Sequence, residues 1–116
     1  MGAGRILLVD DEAPLVDLLT RYLERLGYEV DSCMTPAAAL ERFEADPSRY
    51  ALVLTDLTLP GMTGDAMLAR MRERSPKLRA IVSTGYPYAS TSKWTRSLQK
   101  PFLPKMLAEQ IEELLK

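Results

Sequence analysis

The stretch Arg5-Ile6-Leu7-Leu8-Val9-Asp10-Asp11-Glu12-Ala13-Pro14 decides the fold. Its unbroken run of Ile, Leu, Leu and Val is too short for a helix. It reads as a strand buried on both faces. Three acids follow directly. A helical pattern then opens with Pro14 in the first turn, where a missing N–H costs little. A doubly buried strand that hands over to a helix is the first part of a β–α–β unit, so a parallel sheet is expected.

The same grammar repeats outward from this stretch. Leu15, Leu18, Leu19, Tyr22, Leu23 and Leu26 recur at spacings of three and four, forming one helix face that Gly27 closes. Residues 28–33 alternate, as a half-exposed edge strand does. Thr35 and Pro36 cap and open a helix that continues over 37–45 and stops at Asp46-Pro47. Residues 50–55 form a second buried run. They lead into a loop over 59–64, where Gly61 and Gly64 read as turn residues, and then a helix over 65–73. Ala80-Ile81-Val82-Ser83 is a third buried run, Leu98-Gln99 a stub of strand, and Leu103-Pro104 opens a final helix. Residues 85–97 are poor helix material, because Gly85, Pro87, Ser90, Thr91, Ser92 and Thr95 all oppose it. The expectation is an α/β, flavodoxin-like doubly wound fold with five parallel strands in the order 2-1-3-4-5 and helices on both faces. Its fourth helix is short or absent, occupying at most about Ala89–Arg96. Residues 1–116 read as a single domain.

Composition narrows the chemistry. With no histidine there is no imidazole base and no imidazole metal ligand, and Cys33 alone makes neither a disulfide nor a thiolate zinc site. Cys33 and the methionines read as core material. The longest apolar runs have four or five residues, and residues 1–5 lack the core of a signal peptide, so a cytoplasmic protein with no membrane contact is expected. The net charge of −1 conceals an asymmetry: residues 1–69 hold twelve acids and five bases, whereas residues 70–105 hold nine bases and one acid, Glu73. The basic segment reads either as a solvated surface or as a patch for an acidic protein partner. Nucleic acid is not expected as a partner, because the sequence pI is about 5.5 and the few aromatics of the segment do not alternate with its bases as a stacking platform requires.

In a doubly wound sheet the ligand site lies at the carboxyl ends of the strands. Asp10, Asp11 and Glu12 follow the first strand, Asp56 the third, Ser83 and Thr84 the fourth, and Lys100 the fifth. Asp10, Asp11 and Asp56 bring like charges together, which disfavours joint ionisation unless a divalent cation joins them. Mg²⁺ suits an all-oxygen set that leaves positions open for phosphate oxygens. Thr84 and Lys100 are placed to hold the remaining oxygens of a phosphoryl group. Asp56, alone on the central strand, is the candidate nucleophile for an aspartyl phosphate.

These residues resemble the receiver domain of two-component response regulators. The matching motifs are Ile6-Leu7-Leu8-Val9-Asp10-Asp11-Glu12, residues 54–64 with Asp56 and Pro60-Gly61, Val82-Ser83-Thr84-Gly85-Tyr86, and Lys100-Pro101-Phe102. The resemblance implies that Asp56 accepts phosphate, that Asp10 and Asp11 hold Mg²⁺, and that the Thr58 main-chain carbonyl completes the metal ligands. It implies Thr84 as a switch hydroxyl, Lys100 on the phosphoryl group, and a cis Lys100–Pro101 bond. The partner is then a histidine kinase or phosphotransfer protein, since the donor histidine must come from elsewhere. The chain would modify itself rather than turn over a substrate. It would be a hybrid-kinase module, a stand-alone receiver or part of a larger regulator. Thr58 and Tyr86 would flank the path of the hydrolytic water. Two features depart from the family. The span from Thr84 to Lys100 is shorter than in most receivers by roughly five or six residues, more than one helical turn. Ser97 also stands where receivers usually carry an aromatic. The alternatives are a phosphate-independent interaction module and an aspartyl-nucleophile phosphatase. The latter wants two acids separated by one residue, whereas Asp10-Asp11-Glu12 is contiguous.

Overall fold

The computed structural model describes residues 4–89 and 92–116. The strands β1 (Arg5–Val9), β2 (Glu29–Cys33), β3 (Leu52–Asp56), β4 (Arg79–Thr84) and β5 (Thr95–Gln99) pair in parallel in the order β2-β1-β3-β4-β5. The helices are α1 (Ala13–Arg25), α2 (Pro36–Ala45), α3 (Gly64–Arg74) and the C-terminal α4 (Pro104–Leu115). The doubly wound expectation therefore holds. Punctuation in the sequence sets the ends of the elements. Gly27 takes a φ of 99° after α1, and the Thr35 and Thr63 hydroxyls accept from the N–H groups of Ala38 and Ala66 at the starts of α2 and α3.

The two-residue period of the strands divides the core into two layers. Ile6, Leu8, Leu52, Leu54 and Ile81 face α1 and α4, where Leu19, Leu23, Leu107 and Ile111 meet them. Leu7, Val9, Val53, Ala80 and Val82 face α2 and α3, against Phe43, Met67, Leu68 and Met71. Cys33 is buried in the second layer, and desolvation pushes its thiol above the usual value. That is the core role its sequence context predicts.

The β4–β5 connection corrects one expectation, the start of the last strand, and agrees with another, the short or absent fourth helix. β5 begins at Thr95, not at Leu98, so residues 95 and 96 are strand and the room allowed for a helix shrinks from that end. No helix occurs between β4 and β5 among the described residues; Ser90 and Thr91 lie outside them. Pairing overrides the weak local pattern here, with Ala80 opposite Thr95 and Val82 opposite Ser97. The register also explains the polarity of β5. Thr95, Ser97 and Gln99 share the face that a helix over this edge would cover, and all three are polar. Arg96 and Leu98 turn toward the α4 side, where Arg96 pairs with Glu113 and Leu98 is buried. Without a covering helix, an apolar side chain at Ser97 would lie exposed.

Much of the basic segment works inside the fold. The Arg72 guanidinium donates to the Leu78 carbonyl and the Thr95 hydroxyl, and Arg74 pairs with Glu44. Arg79 donates to the Leu114 carbonyl at the end of α4 and lies 5.1 Å from the centroid of Trp94. Trp94 is thus held at the start of β5 beside α4, and Tyr86 is 54% exposed.

Candidate functional site

Asp10, Asp56 and Lys100 reach the carboxyl end of the sheet through main-chain hydrogen bonds that run one residue past a strand. Asp10 N donates to the Cys33 carbonyl at 3.1 Å, Leu57 N to Ser83 at 2.8 Å, and Lys100 N to Thr84 at 2.7 Å. These bonds fix where Asp10, Asp56 and Lys100 emerge. The Lys100–Pro101 peptide is cis, as the resemblance implies. Behind Asp56 stands Gly64. A Cβ there would come within 2.3 Å of the Asp56 carbonyl oxygen and 3.1 Å of Thr55 Oγ1. Gly64 is therefore not the turn residue the sequence reading made it. It is the first residue of α3, and it is glycine because the helix start presses against the backbone of Asp56. Gly61, with a φ of 82°, is the true turn glycine.

Asp10, Asp11 and Asp56 each offer a carboxylate oxygen, and these lie within 4.8 Å of one another. Lys100 Nζ stands 3.3 Å from Asp10 Oδ2, 3.4 Å from Asp56 Oδ2 and 3.0 Å from Glu12 Oε1. The Asp10 side chain is only 3% exposed. Burial pushes its carboxyl above the usual value, and the Asp56 charge adds to this; the Glu12 N–H and the Lys100 ammonium offset only part of the shift. For Lys100, burial favours the neutral amine, but Glu12, Asp10 and Asp56 together outweigh it and hold the ammonium above its ordinary value. Thr84 ends β4 and is buried. Its hydroxyl accepts from Tyr86 N at 3.3 Å. Thr58 N donates to Asp56 Oδ1 at a long 3.4 Å, so Thr58 lies on the loop after β3 with its main chain against the Asp56 carboxylate.

The donor set fits a hard divalent cation. It is all oxygen, one member is almost fully desolvated, and a single ammonium is shared by three carboxylates with that of Asp11 beside them. Asp10, Asp11 and Asp56 are the residues that can hold such an ion.

The sequence reading gave Glu12 no role of its own. As the N-cap of α1 it makes no side-chain cap bond, and its carboxylate goes to Lys100 instead. The available signal was a Glu at a position that favours Ser, Thr, Asp or Asn.

Comparison with known proteins places this geometry. The model of the response regulator receiver domain matches residues 6–112. The chain belongs to that family. This receiver is 32% identical to the response regulator receiver protein CpdR of Brucella abortus, over 96% of each chain. It also resembles the crystal structure of the receiver domain of the hybrid histidine kinase CckA, with 29% identity and a TM-score of 0.88 over 97% of this chain and 100% of that one. Against the whole CckA sensor kinase of Brucella abortus, the matched region is only 13% of the relative's length. TrrA of Thermotoga maritima, crystallised with Mg²⁺ and BeF, matches with 29% identity and a TM-score of 0.84 over 97% and 100% of the two chains. The TrrA chain in a complex with the histidine kinase ThkA matches at 30% and 0.85 over 98% and 100%. No helix among the described residues is long and apolar enough to cross a membrane. As a receiver, the chain is a module of two-component signalling.

Proposed function

We propose that this single receiver domain takes a phosphoryl group onto Asp56 from a phosphohistidine on a partner kinase or phosphotransfer protein, in a reaction that requires Mg²⁺. The observation that carries the reading is the convergence of Asp10, Asp11 and Asp56 within 4.8 Å, with the Lys100 ammonium on both Asp10 and Asp56. Asp10, Asp11, Asp56 and the Thr58 main-chain carbonyl would hold the ion. Bound there, Mg²⁺ supplies charge neutralisation for the phosphoryl oxygens. An Asp56 carboxylate oxygen attacks phosphorus. The O–P bond forms, the P–N bond to the donor imidazole breaks, and the electron pair returns to the imidazole nitrogen, which takes up a proton. Lys100 neutralises phosphoryl charge opposite the ion, and the Thr84 hydroxyl gives up Tyr86 to meet a phosphoryl oxygen. Burial of Asp10 keeps bulk water from one side of the site. The chain modifies itself and loses the phosphoryl group by hydrolysis, without turning over a separate substrate.

ThkA bound to TrrA supports a histidine kinase as the partner class. The CckA and CpdR relatives support a hybrid-kinase module and a stand-alone receiver, respectively. The cytoplasm, where such kinases display their phosphohistidines, is the compartment that suits the reading. Incubation with acetyl phosphate and Mg²⁺, read by intact mass, should add one phosphoryl group that Asp56→Ala abolishes. No gain, or gain that survives the substitution, rejects the assignment. One observation favours a second reading, an interaction module that works without phosphate. Among the described residues, the β4–β5 connection lacks a helix to move. Absence of any amide shift at Asp10, Asp11 and Asp56 on titration with millimolar Mg²⁺ would favour that module.

A further inference from the structure

Glu12 occupies the N-cap of α1, yet its side chain makes no capping bond. Helix initiation therefore does not account for its carboxylate. That carboxylate meets a lysine 88 positions away, at 3.0 Å, the shortest of the three acid contacts on Lys100 Nζ. It also differs from the other two in place. The Glu12 side chain is 61% exposed, against 3% for Asp10 and 12% for Asp56. It stands outside the set whose oxygens converge as metal ligands.

Lys100 and a divalent cation want the same two carboxylates, Asp10 and Asp56. An ammonium that leaves both without another partner would have to return to water. One that stays on both would oppose the ion. Glu12 offers a third position at the mouth of the pocket, close enough that the ammonium need only shift its contacts rather than leave. We propose that Glu12 is a positioning residue for Lys100, holding the ammonium at the pocket mouth while Asp10 and Asp56 turn to a divalent cation. This rests on the reading of the acid pocket given above. Glu12 then lowers the competition between Lys100 and the ion, and it keeps the ammonium poised beside Asp56.

A purely electrostatic Glu12, acting on the ion through solvent, would not need Lys100 at all. A double-mutant cycle separates the two roles. Mg²⁺ affinity is measured by titration calorimetry on the whole chain and its Glu12→Gln, Lys100→Met and doubly substituted forms. Thermal unfolding in EDTA checks that each is folded, and Lys100→Gln replaces Lys100→Met if the latter is not. Glu12→Gln should weaken Mg²⁺ binding about threefold when Lys100 is present and by well under about twofold when it is not, as coupling across one exposed charge pair allows. Glu12→Asp, which keeps the charge but shortens the reach, should fall between wild type and Glu12→Gln. The same factor in both backgrounds, or no loss with Glu12→Gln, overturns the proposal and leaves the pocket reading standing. No Mg²⁺ binding by the unsubstituted chain would instead remove the pocket reading, and Glu12's role with it.

Discussion

Two carboxylates of this domain are shielded to the same degree and surrounded in opposite ways. Asp31 on β2 and Asp56 on β3 each expose 12% of the side chain. Asp31 has cations in excess: Arg5 at 2.8 Å, Arg49 at 3.4 Å and Arg42 at 3.8 Å, with the Tyr50 hydroxyl donating at 2.7 Å. Asp56 has acids in excess, since Asp10 and Glu12 share the one ammonium it contacts among the described residues and the Asp11 carboxylate lies beside it. Burial alone would raise the Asp31 pKa, but the Tyr50 hydroxyl, Arg5 and Arg49 reverse it, and the carboxyl ends below its usual value. Asp10, the most buried acid of the other cluster, ends above its usual value. One cluster is complete within the chain and ties β1, β2 and the start of β3 together. The other holds more carboxylates than cations among the described residues and, on the function proposed above, would be completed by a cation from outside. A shielded carboxylate marks a site when the chain leaves its charge unbalanced, not merely because it is shielded.

The contrast predicts opposite responses to substitution. Asp31→Ala takes this partner from the Tyr50 phenol and from the Arg42 and Arg49 guanidinium groups, and leaves Arg5 with Glu29. It should cost about 2–3 kcal/mol, read from the urea midpoint at pH 7. A cost below about 0.5 kcal/mol would mean that Asp31 is a surface acid like any other. Added Mg²⁺ acts on the other cluster. At ten times its dissociation constant it should stabilise the domain by about 1.4 kcal/mol. Asp31→Ala should keep this increment in full, and Asp10→Asn should lose it. A variant at Asp31 that lost it would erase the distinction between the clusters.

Tyr50 sharpens the comparison through pH. Burial raises its phenol first, and the hydrogen bond and charge of Asp31 raise it further, to about 12. A group whose folded pKa lies above its unfolded value adds stability that is present below the unfolded value and is lost as pH rises through the folded one. Tyr50→Phe should therefore cost about 1 kcal/mol at pH 7, the worth of a hydrogen bond to a charged group less what solvent returns. The gap between variant and wild type should begin to close above the ordinary phenol value and shut near pH 12. A gap that stays constant to high pH would assign the loss to packing against Phe43, whose ring centroid lies 6.4 Å from that of Tyr50.

Legibility in the sequence followed the range of the interactions. The buried runs, the glycine and proline punctuation and the residues that follow each run are local. They were enough to set the strand order and to bring Asp10, Asp11, Asp56 and Lys100 to one end of the sheet. Asp31 read only as a polar position in an alternating edge strand, because its partners Arg5 and Tyr50 lie 26 and 19 positions away. Gly64 looked like a turn residue because its reason is the backbone of Asp56, a contact made only when α3 docks. β5 was read too short because Thr95 and Arg96 owe their extension to β4, not to their own pattern. Glu12 looked like a helix start because its partner arrives at the other end of the chain.

The smallest expected effect is also the one with the least intuitive sign. Without divalent ions, Asp56→Asn removes one contact to Lys100, at 3.4 Å, which is long for a charge-assisted bond. It also removes the repulsion of Asp56 with Asp10 and Asp11, whose oxygens lie within 4.8 Å. Lys100 keeps Asp10 and the closer Glu12, so its ammonium is not left without a partner. Repulsion outweighs the lost contact in a pocket of net negative charge, and the variant should be more stable than wild type by about 0.5 kcal/mol in EDTA. Mg²⁺ should then reverse the order, because only wild type has the full acid set. Thermal midpoints of both forms, with EDTA and with Mg²⁺, should cross. Two lines that do not cross, with Asp56→Asn the less stable in EDTA, would show that Asp56 is balanced within the chain as Asp31 is.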